Sequence, residues 1–182
     1  MPSDSLLRWQ NDRLVRLRAL EAQVALAPPS ALADENLRAS VAMLCAHFQG
    51  FCRDLYTEGA QRITLAVPLP LQLFVQRQSM AELKLSTGNP NLQTLTHDFN
   101  RLVSDVKPRL DANPANAVRL NHLADLNKWR NYVVHHGVVA PPGPPLALTL
   151  VQAWQASCDG LAADLDRIVY DVLSEMLSAP AW

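Results

Sequence analysis

Apolar residues recur at intervals of three and four along most of the chain, which is the spacing of one face of an α-helix. The first such stretch covers residues 5–26 and stops at Pro28 and Pro29. We expect the opposite face of this helix to be solvated; it carries Arg13, Arg16 and Arg18. The pattern predicts an N-terminal helical arm, residues 1–29, ahead of a helical bundle domain, residues 30–182.

A second helix is predicted over residues 30–58. Ser30 or Asp34 can cap its first turn, and Gly59 is expected to end it. Its apolar positions alternate by four and three, which is typical of a seam between packed helices. These positions are Leu37, Val41, Leu44, Phe48, Phe51 and Leu55.

The middle of the chain is harder to interpret. Pro68 and Pro70 exclude a central strand and interrupt a helix, so we expect a helix only over residues 71–83 and a loop over residues 86–91. A further helix is predicted from residue 92 to residue 106, ending before Pro108.

Two clearer helices follow. The first is predicted to begin at an Asn113 cap with Pro114 in its first turn, and to end at Gly137. A stiff break over residues 140–145 separates it from a last helix over residues 149–177. The stripe of this last helix is Val151, Trp154, Cys158, Leu161, Leu165, Ile168, Val172 and Met176. Together these segments predict an all-α bundle of five or six helices.

Composition narrows the class of protein. Hydrophobic residues make up 49% of the 182, which excludes wholesale disorder, and a net charge of −1 excludes a strongly basic nucleic-acid binder. Only 6 residues are glycine, and no phosphate-binding glycine motif occurs. The 3 cysteines include no Cys-x-x-Cys pair, so we expect each cysteine to pack in the core as a small hydrophobic side chain. With no long apolar run, we expect no membrane span and a cytoplasmic location.

The charges are unevenly distributed along the chain. Residues 107–137 hold five basic side chains against two acidic ones, whereas residues 138–182 hold Arg167 against five carboxylates. The acidic face of the last helix is most simply solvated, although docking on a basic partner stays an alternative. Chance fluctuation over so few charges also explains the uneven distribution.

The residues that carry chemistry lie near the end of the helix that Asn113 begins. Arg130 is followed by Asn131, and His135 comes four residues after the asparagine, so the last two share a helix face. Cleavage of RNA without a metal needs a base to take the 2′-hydroxyl proton and an acid to protonate the leaving oxygen. It also needs a cation to balance the charge that builds on the phosphoryl oxygens. Histidine supplies proton transfer, arginine grips phosphate, and asparagine can orient the imidazole or donate to phosphate.

At these residues the sequence resembles the HEPN superfamily, whose R-N-x-x-x-H signature matches Arg130, Asn131 and His135. A second stretch, AHFQGFCRDLYTEG, resembles the earlier bundle helix of the RiboL-PSP-HEPN-like branch. That branch often has an aromatic residue followed by Glu, whereas this chain has Phe48 and Gln49, which puts an accessory acid role there in doubt. The resemblance covers roughly residues 35–175, and about fifteen of these residues are specific.

The resemblance implies a bundle that dimerises across the signature helix, and a metal-independent endoribonuclease without a cofactor. His135 would be the acid or base, Arg130 the phosphate clamp and Asn131 the positioning residue. Lys128 and His136 are weaker candidates for RNA contact. Family members serve in toxin–antitoxin, antiviral and other defence systems, so an antitoxin or regulatory protein is an implied partner.

Other family members are non-catalytic, so a HEPN-like interaction or nucleotide-binding module is the alternative. A plain structural role for the histidines also stays open, because imidazoles in a last turn favour the negative end of the helix dipole. Trp129 and Tyr132 are interpreted as packing residues rather than as platforms for bases.

Overall fold

The computed structural model of the chain describes residues 1–26, 28, 30–135, 141 and 143–182. Its regular structure is helical, as the pattern predicts, and the described residues form no strand. The α-helices are α1 (Asp4–Arg8), α2 (Leu14–Leu26), α3 (Ala31–Ala66), α4 (Leu69–Met80), α5 (Leu92–Phe99), α6 (Val106–Asp111), α7 (Ala115–Val134) and α8 (Leu148–Leu177).

The N-terminal helix packs on the bundle and contributes to the same core. Trp9 is buried against Phe48 and Phe51 of α3, and its indole N–H donates to Asp159 of α8. A π-helical segment, Trp9–Arg13, separates α1 from α2 and shifts the helical register. Arg13, the last residue of this segment, is not solvated as expected; its guanidinium donates to Asp54 at 2.6 Å.

Helix α3 is longer than the sequence predicts. Gly59 does not end it, and the helix continues to Ala66, where the extended backbone of Val67 precedes Pro68. Gly59 is buried, and a Cβ atom there would lie 3.2 Å from a Leu102 methyl group and 3.3 Å from a Val169 methyl group. The glycine therefore serves close helix packing rather than helix termination.

Two further predictions need correction. Residues 92–106 do not form one helix, because α5 ends at Phe99 and Asp105 adopts a left-handed conformation with φ of 59°. Pro108 lies inside the first turn of α6, where its missing N–H would have no helical partner. The predicted helix over residues 71–83 is found as α4, which begins two residues earlier and ends three residues earlier. Of the loop expected over residues 86–91, Ser86 belongs to a 3-10 turn and residues 87–91 lie outside any helix.

The two C-terminal helices follow their predicted patterns most closely. The Asn113 carboxamide accepts the backbone N–H of Ala115 at the start of α7, and Gly137, its predicted end, lies outside the described residues. Every predicted stripe residue of α8 is buried except Met176, which is exposed. None of the described helices is long and apolar enough to cross a membrane.

The acidic face of α8 is partly structural rather than solvated. Asp164 is buried; it pairs with Arg119 of α7 at 2.9 Å and accepts from Asn113 at 2.6 Å. Burial raises the pKa of the Asp166 carboxyl, which accepts the backbone N–H of Ser3. These contacts use acidic side chains to join α7 and the N-terminus to α8.

A buried carboxylate holds the segment that follows α4. Asp98 of α5 is fully buried and accepts the backbone N–H groups of Lys84 and Leu85, which begin a short 3-10 turn, Lys84–Ser86. This contact fixes the start of the loop that leads to α5.

We expect Asp98→Ala to lower the free energy of unfolding by about 3 kcal/mol, because two backbone donors lose a charged acceptor. Urea titration followed by circular dichroism measures the loss. Asp171→Ala, at an exposed position of α8, is the matched control and should change stability by less than about 0.5 kcal/mol. Equal effects of the two variants would contradict the role given to Asp98.

Candidate functional site

The three signature residues lie at the C-terminal end of α7. Arg130 is half-buried, while Asn131 and His135 are exposed. His135 is the residue that ends the helix, and its backbone N–H donates to the carbonyl of Asn131 at 3.0 Å.

The Asn131 carboxamide is held from two sides. Its Oδ1 accepts from Nη1 of Arg130 at 3.2 Å and from Nδ2 of Asn89 at 2.9 Å. These two bonds fix the amide orientation, and Nδ2 of Asn131 donates to no other described residue. The asparagine thus orients the Arg130 guanidinium in this structure, rather than the His135 imidazole.

Asn89 reaches Asn131 because its loop is tied to two helices. Gln49 of α3 donates through Nε2 to the carbonyls of Leu85 and Gly88, at 2.8 Å each. Asn127, one turn before Asn131 on α7, donates to the carbonyl of Pro90 at 2.7 Å. Gln49, at the position where the similar branch often has Glu, therefore acts here as a donor that positions a loop.

The cysteine nearest the site is not suited to nucleophilic chemistry. The Cys45 thiol is buried and donates to Oδ1 of Asn127 at 3.4 Å. Burial raises its pKa to about 11, although the nearby Arg130 guanidinium acts in the opposite direction. Cys52 and Cys158 are also free and buried, and burial raises the pKa of each thiol well above its ordinary value.

The two weaker candidates for RNA contact differ. Lys128 is exposed, but its ammonium group pairs with Asp125 at 2.8 Å, so part of its charge is compensated. His136 lies outside the described residues. The remaining three histidines are separate from the signature: His47 lies on α3, His97 contacts Asp98, and His122 contacts Ser157.

A pocket of about 290 Å³ lies between α3 and α7, on the face of α7 that carries Trp129 and Tyr132. Its other walls are formed by Asp34, Leu37, Arg38, Pro145 and Leu146. The rings of Trp129 and Tyr132 meet edge to face at 5.6 Å, and the Arg38 guanidinium carbon lies 6.0 Å from the Tyr132 ring centre. The pocket thus presents a half-exposed aromatic ring and a planar cation, both of which can stack on a nucleobase.

The sequence pattern indicates the helix-end residues but not the side chains that contact or neighbour them in the folded chain. Asn89 lies 42 positions before Asn131, and Arg38 is on a different helix from Tyr132. The run of Asn89, Pro90 and Asn91 indicates a turn and gives no sign of a contact with α7. These partners are visible only once α3, α7 and the loop are packed together.

Comparison of the chain with protein-family models finds no match. Comparisons with curated proteins and with solved structures find none either.

We expect Gln49→Glu to lower the free energy of unfolding by about 1–3 kcal/mol at pH 7, because a carboxylate would face two carbonyls that need a donor. This environment raises the pKa of the new carboxyl in the folded state, so the deficit should grow as pH rises and shrink towards pH 4. Urea titration at several pH values measures it.

Gln93→Glu, the same change at an exposed position of α5, is the control and should be close to neutral at both pH values. A Gln49→Glu protein with wild-type stability at pH 7 would contradict the donor role of Gln49.

Proposed function

We propose that the chain is a metal-independent endoribonuclease of HEPN type that acts as a homodimer. The observation that carries this proposal is the arrangement at the end of α7. An exposed His135 terminates the helix, and the Asn131 carboxamide orients the Arg130 guanidinium within the preceding turn. A role as a cytoplasmic toxin or defence component, controlled by an antitoxin or other regulator, rests on the sequence resemblance.

The proposed reaction needs no group beyond these side chains and the RNA. His135 of one protomer takes the proton from a ribose 2′-hydroxyl, whose oxygen then attacks the adjacent phosphorus. The bond from phosphorus to the 5′-oxygen breaks, and that oxygen takes a proton from an imidazolium. The products are a 2′,3′-cyclic phosphate and a 5′-hydroxyl, so atoms and charge balance.

Arg130 would stabilise the charge that builds on the phosphoryl oxygens, because its planar guanidinium matches two of them at once. The hydrogen bond that Arg130 donates to Oδ1 of Asn131 limits the rotation of that guanidinium. Nδ2 of Asn131 would supply a further donor to the phosphate. Each chain carries one histidine at this helix end, whereas the reaction uses a base and an acid. A two-fold pairing across α7 would bring two together, which is why we propose a dimer.

We expect His135→Ala to reduce the rate of RNA cleavage by at least about 10²–10⁴-fold, because the proposed dimer loses both its base and its acid. The assay uses a fluorescently labelled, structured RNA in the presence of EDTA, with product ends identified by mass spectrometry. Arg130→Lys should also impair cleavage, because an ammonium group cannot form the planar fork.

His122→Ala is the matched control, since it makes the same change on the same helix about 20 Å away. This control should retain full cleavage. Cleavage by His135→Ala at the wild-type rate, or ends other than 2′,3′-cyclic phosphate, would contradict the proposed chemistry.

A non-catalytic nucleotide- or RNA-binding module is the second candidate. The pocket between α3 and α7 favours it, because the Tyr132 ring and the Arg38 guanidinium offer stacking surfaces, and Tyr132 lies two residues after Arg130 on α7. Such a protein would bind RNA or a nucleotide through the same helix end without cleaving it.

We expect Tyr132→Ala to weaken binding of a single-stranded RNA roughly 5- to 100-fold, the loss of one aromatic stacking partner. Fluorescence anisotropy in the His135→Ala background separates binding from cleavage. Tyr170→Ala, a half-buried tyrosine of α8, is the control and should bind as before. Unchanged affinity in Tyr132→Ala would show that the pocket does not take a base.

A further inference from the structure

The pocket between α3 and α7 has a carboxylate in its wall. Asp34, in the first turn of α3, lines the pocket together with Arg38 and Tyr132. Asp34 and Arg38 are one helical turn apart, a spacing at which acidic and basic side chains commonly pair. Here the Arg38 guanidinium lies 3.8 Å from the Glu35 carboxylate instead. Among the described residues, none forms an ion pair with the Asp34 carboxylate or donates a hydrogen bond to it.

The other walls of the pocket suit a flat ring. The Tyr132 ring is held by its edge-to-face contact with Trp129, and Leu37, Pro145 and Leu146 add apolar surface. The volume of about 290 Å³ is at the lower end of the range for pockets that bind small ligands. Because Asp34 is exposed, the pocket combines an aromatic stacking surface with a carboxylate at its rim.

A carboxylate in this position distinguishes one nucleobase from the others. An ionised carboxylate only accepts hydrogen bonds, and its two oxygens lie side by side. Guanine presents two adjacent donors, N1–H and the N2 amino group, on its Watson–Crick edge. Adenine and cytosine present one amino group beside an acceptor nitrogen, and uracil presents one N–H between two carbonyls. Of the RNA bases, only guanine can therefore donate to both carboxylate oxygens at once.

The pocket adjoins the residue to which the proposed reaction assigns proton transfer. Tyr132 and His135, the residue that ends α7, are three positions apart in the chain. Residues at this spacing are neighbours on the surface of a helix. A nucleotide whose base stacks on Tyr132 would therefore have its ribose and phosphate close to His135.

We propose that this pocket is a guanine subsite, in which the base stacks on Tyr132 and donates to Asp34 through N1–H and the N2 amino group. The subsite selects RNA that has a guanosine next to the scissile phosphate. This inference rests on the proposed function, because it takes RNA or a nucleotide as the ligand of the α7 site. It adds the identity of the base that is recognised.

The test uses short fluorescein-labelled oligouridines in which one central residue is guanosine, inosine, adenosine or xanthosine. Fluorescence anisotropy with the full chain carrying His135→Ala gives each dissociation constant without cleavage. We expect the guanosine oligonucleotide to bind roughly 10- to 100-fold more tightly than the inosine one, because inosine lacks only the N2 amino group that donates to Asp34.

Asp34→Asn, introduced in the same background, replaces one acceptor by a donor and keeps the shape of the side chain. The guanosine oligonucleotide should bind roughly 10- to 100-fold more weakly to this variant. Xanthosine has a carbonyl in place of the N2 amino group, so its oligonucleotide should bind more tightly by a similar factor. Since one ligand gains where the other loses, misfolding of the variant could not produce this result.

Asp171→Asn, the same change at an exposed position of α8, is the control and should leave every affinity unchanged. Equal affinity for all four oligonucleotides, a preference for another base, or an unchanged guanosine preference in Asp34→Asn would overturn the guanine subsite but not the proposed cleavage. Guanosine preference without cleavage by the wild-type chain would uphold the subsite and favour the non-catalytic candidate. Failure to bind any oligonucleotide would also overturn the subsite, and the cleavage assay in EDTA would then decide the proposed function separately.

Discussion

The length of α3 is the constraint on which the rest of the architecture depends. Its 36 residues span about 54 Å, whereas a compact globule of this chain length is about 40 Å across. The middle of α3 can be covered by α2, α7 and α8, but the helix is too long for both ends to be enclosed. Its C-terminal part therefore extends beyond the bundle, and α4 packs mainly on that extension, with Arg101 bonded to its C-terminal end.

The same helix also organises the opposite end of the molecule. Leu37 and Arg38, in its N-terminal part, form one wall of the pocket beside Tyr132, and Gln49 in the middle supports the loop that carries Asn89. One continuous element thus positions both the α7 site and the exposed helix α4. A kink in α3 would move these two regions relative to one another.

The fold class follows from the sequence because helical periodicity is a local property. The helical spacing of apolar residues alone predicts the buried stripe of α8. Turn residues alone predict the loop around Asn89. The predicted helix ends are wrong where one residue type has two uses. Gly59 can end a helix or allow close packing, and only the positions of Leu102 and Val169 decide between these two roles. Likewise, nothing local reveals that Asp105 adopts a left-handed backbone conformation that divides residues 92–106.

The signature at the end of α7 was predictable for a similar reason, since its three residues lie within six positions of one helix. The partners that fix these side chains come from elsewhere in the chain. Hydrogen bonds between residues far apart in sequence produce no periodic pattern from which they could be predicted. The expectation that Asn131 can orient the imidazole is one example. Its actual partners, Arg130 and Asn89, depend on how the loop is anchored by Gln49 and Asn127.

The burial of all three thiols has a practical consequence for spectroscopy. Cys45, Cys52 and Cys158 are enclosed by the core, so a maleimide or spin label applied to the folded protein should react only with a cysteine introduced at the surface. Single reporter groups can therefore be attached without first replacing the native cysteines. Distances between such groups on two copies would then map how the chains are arranged in solution.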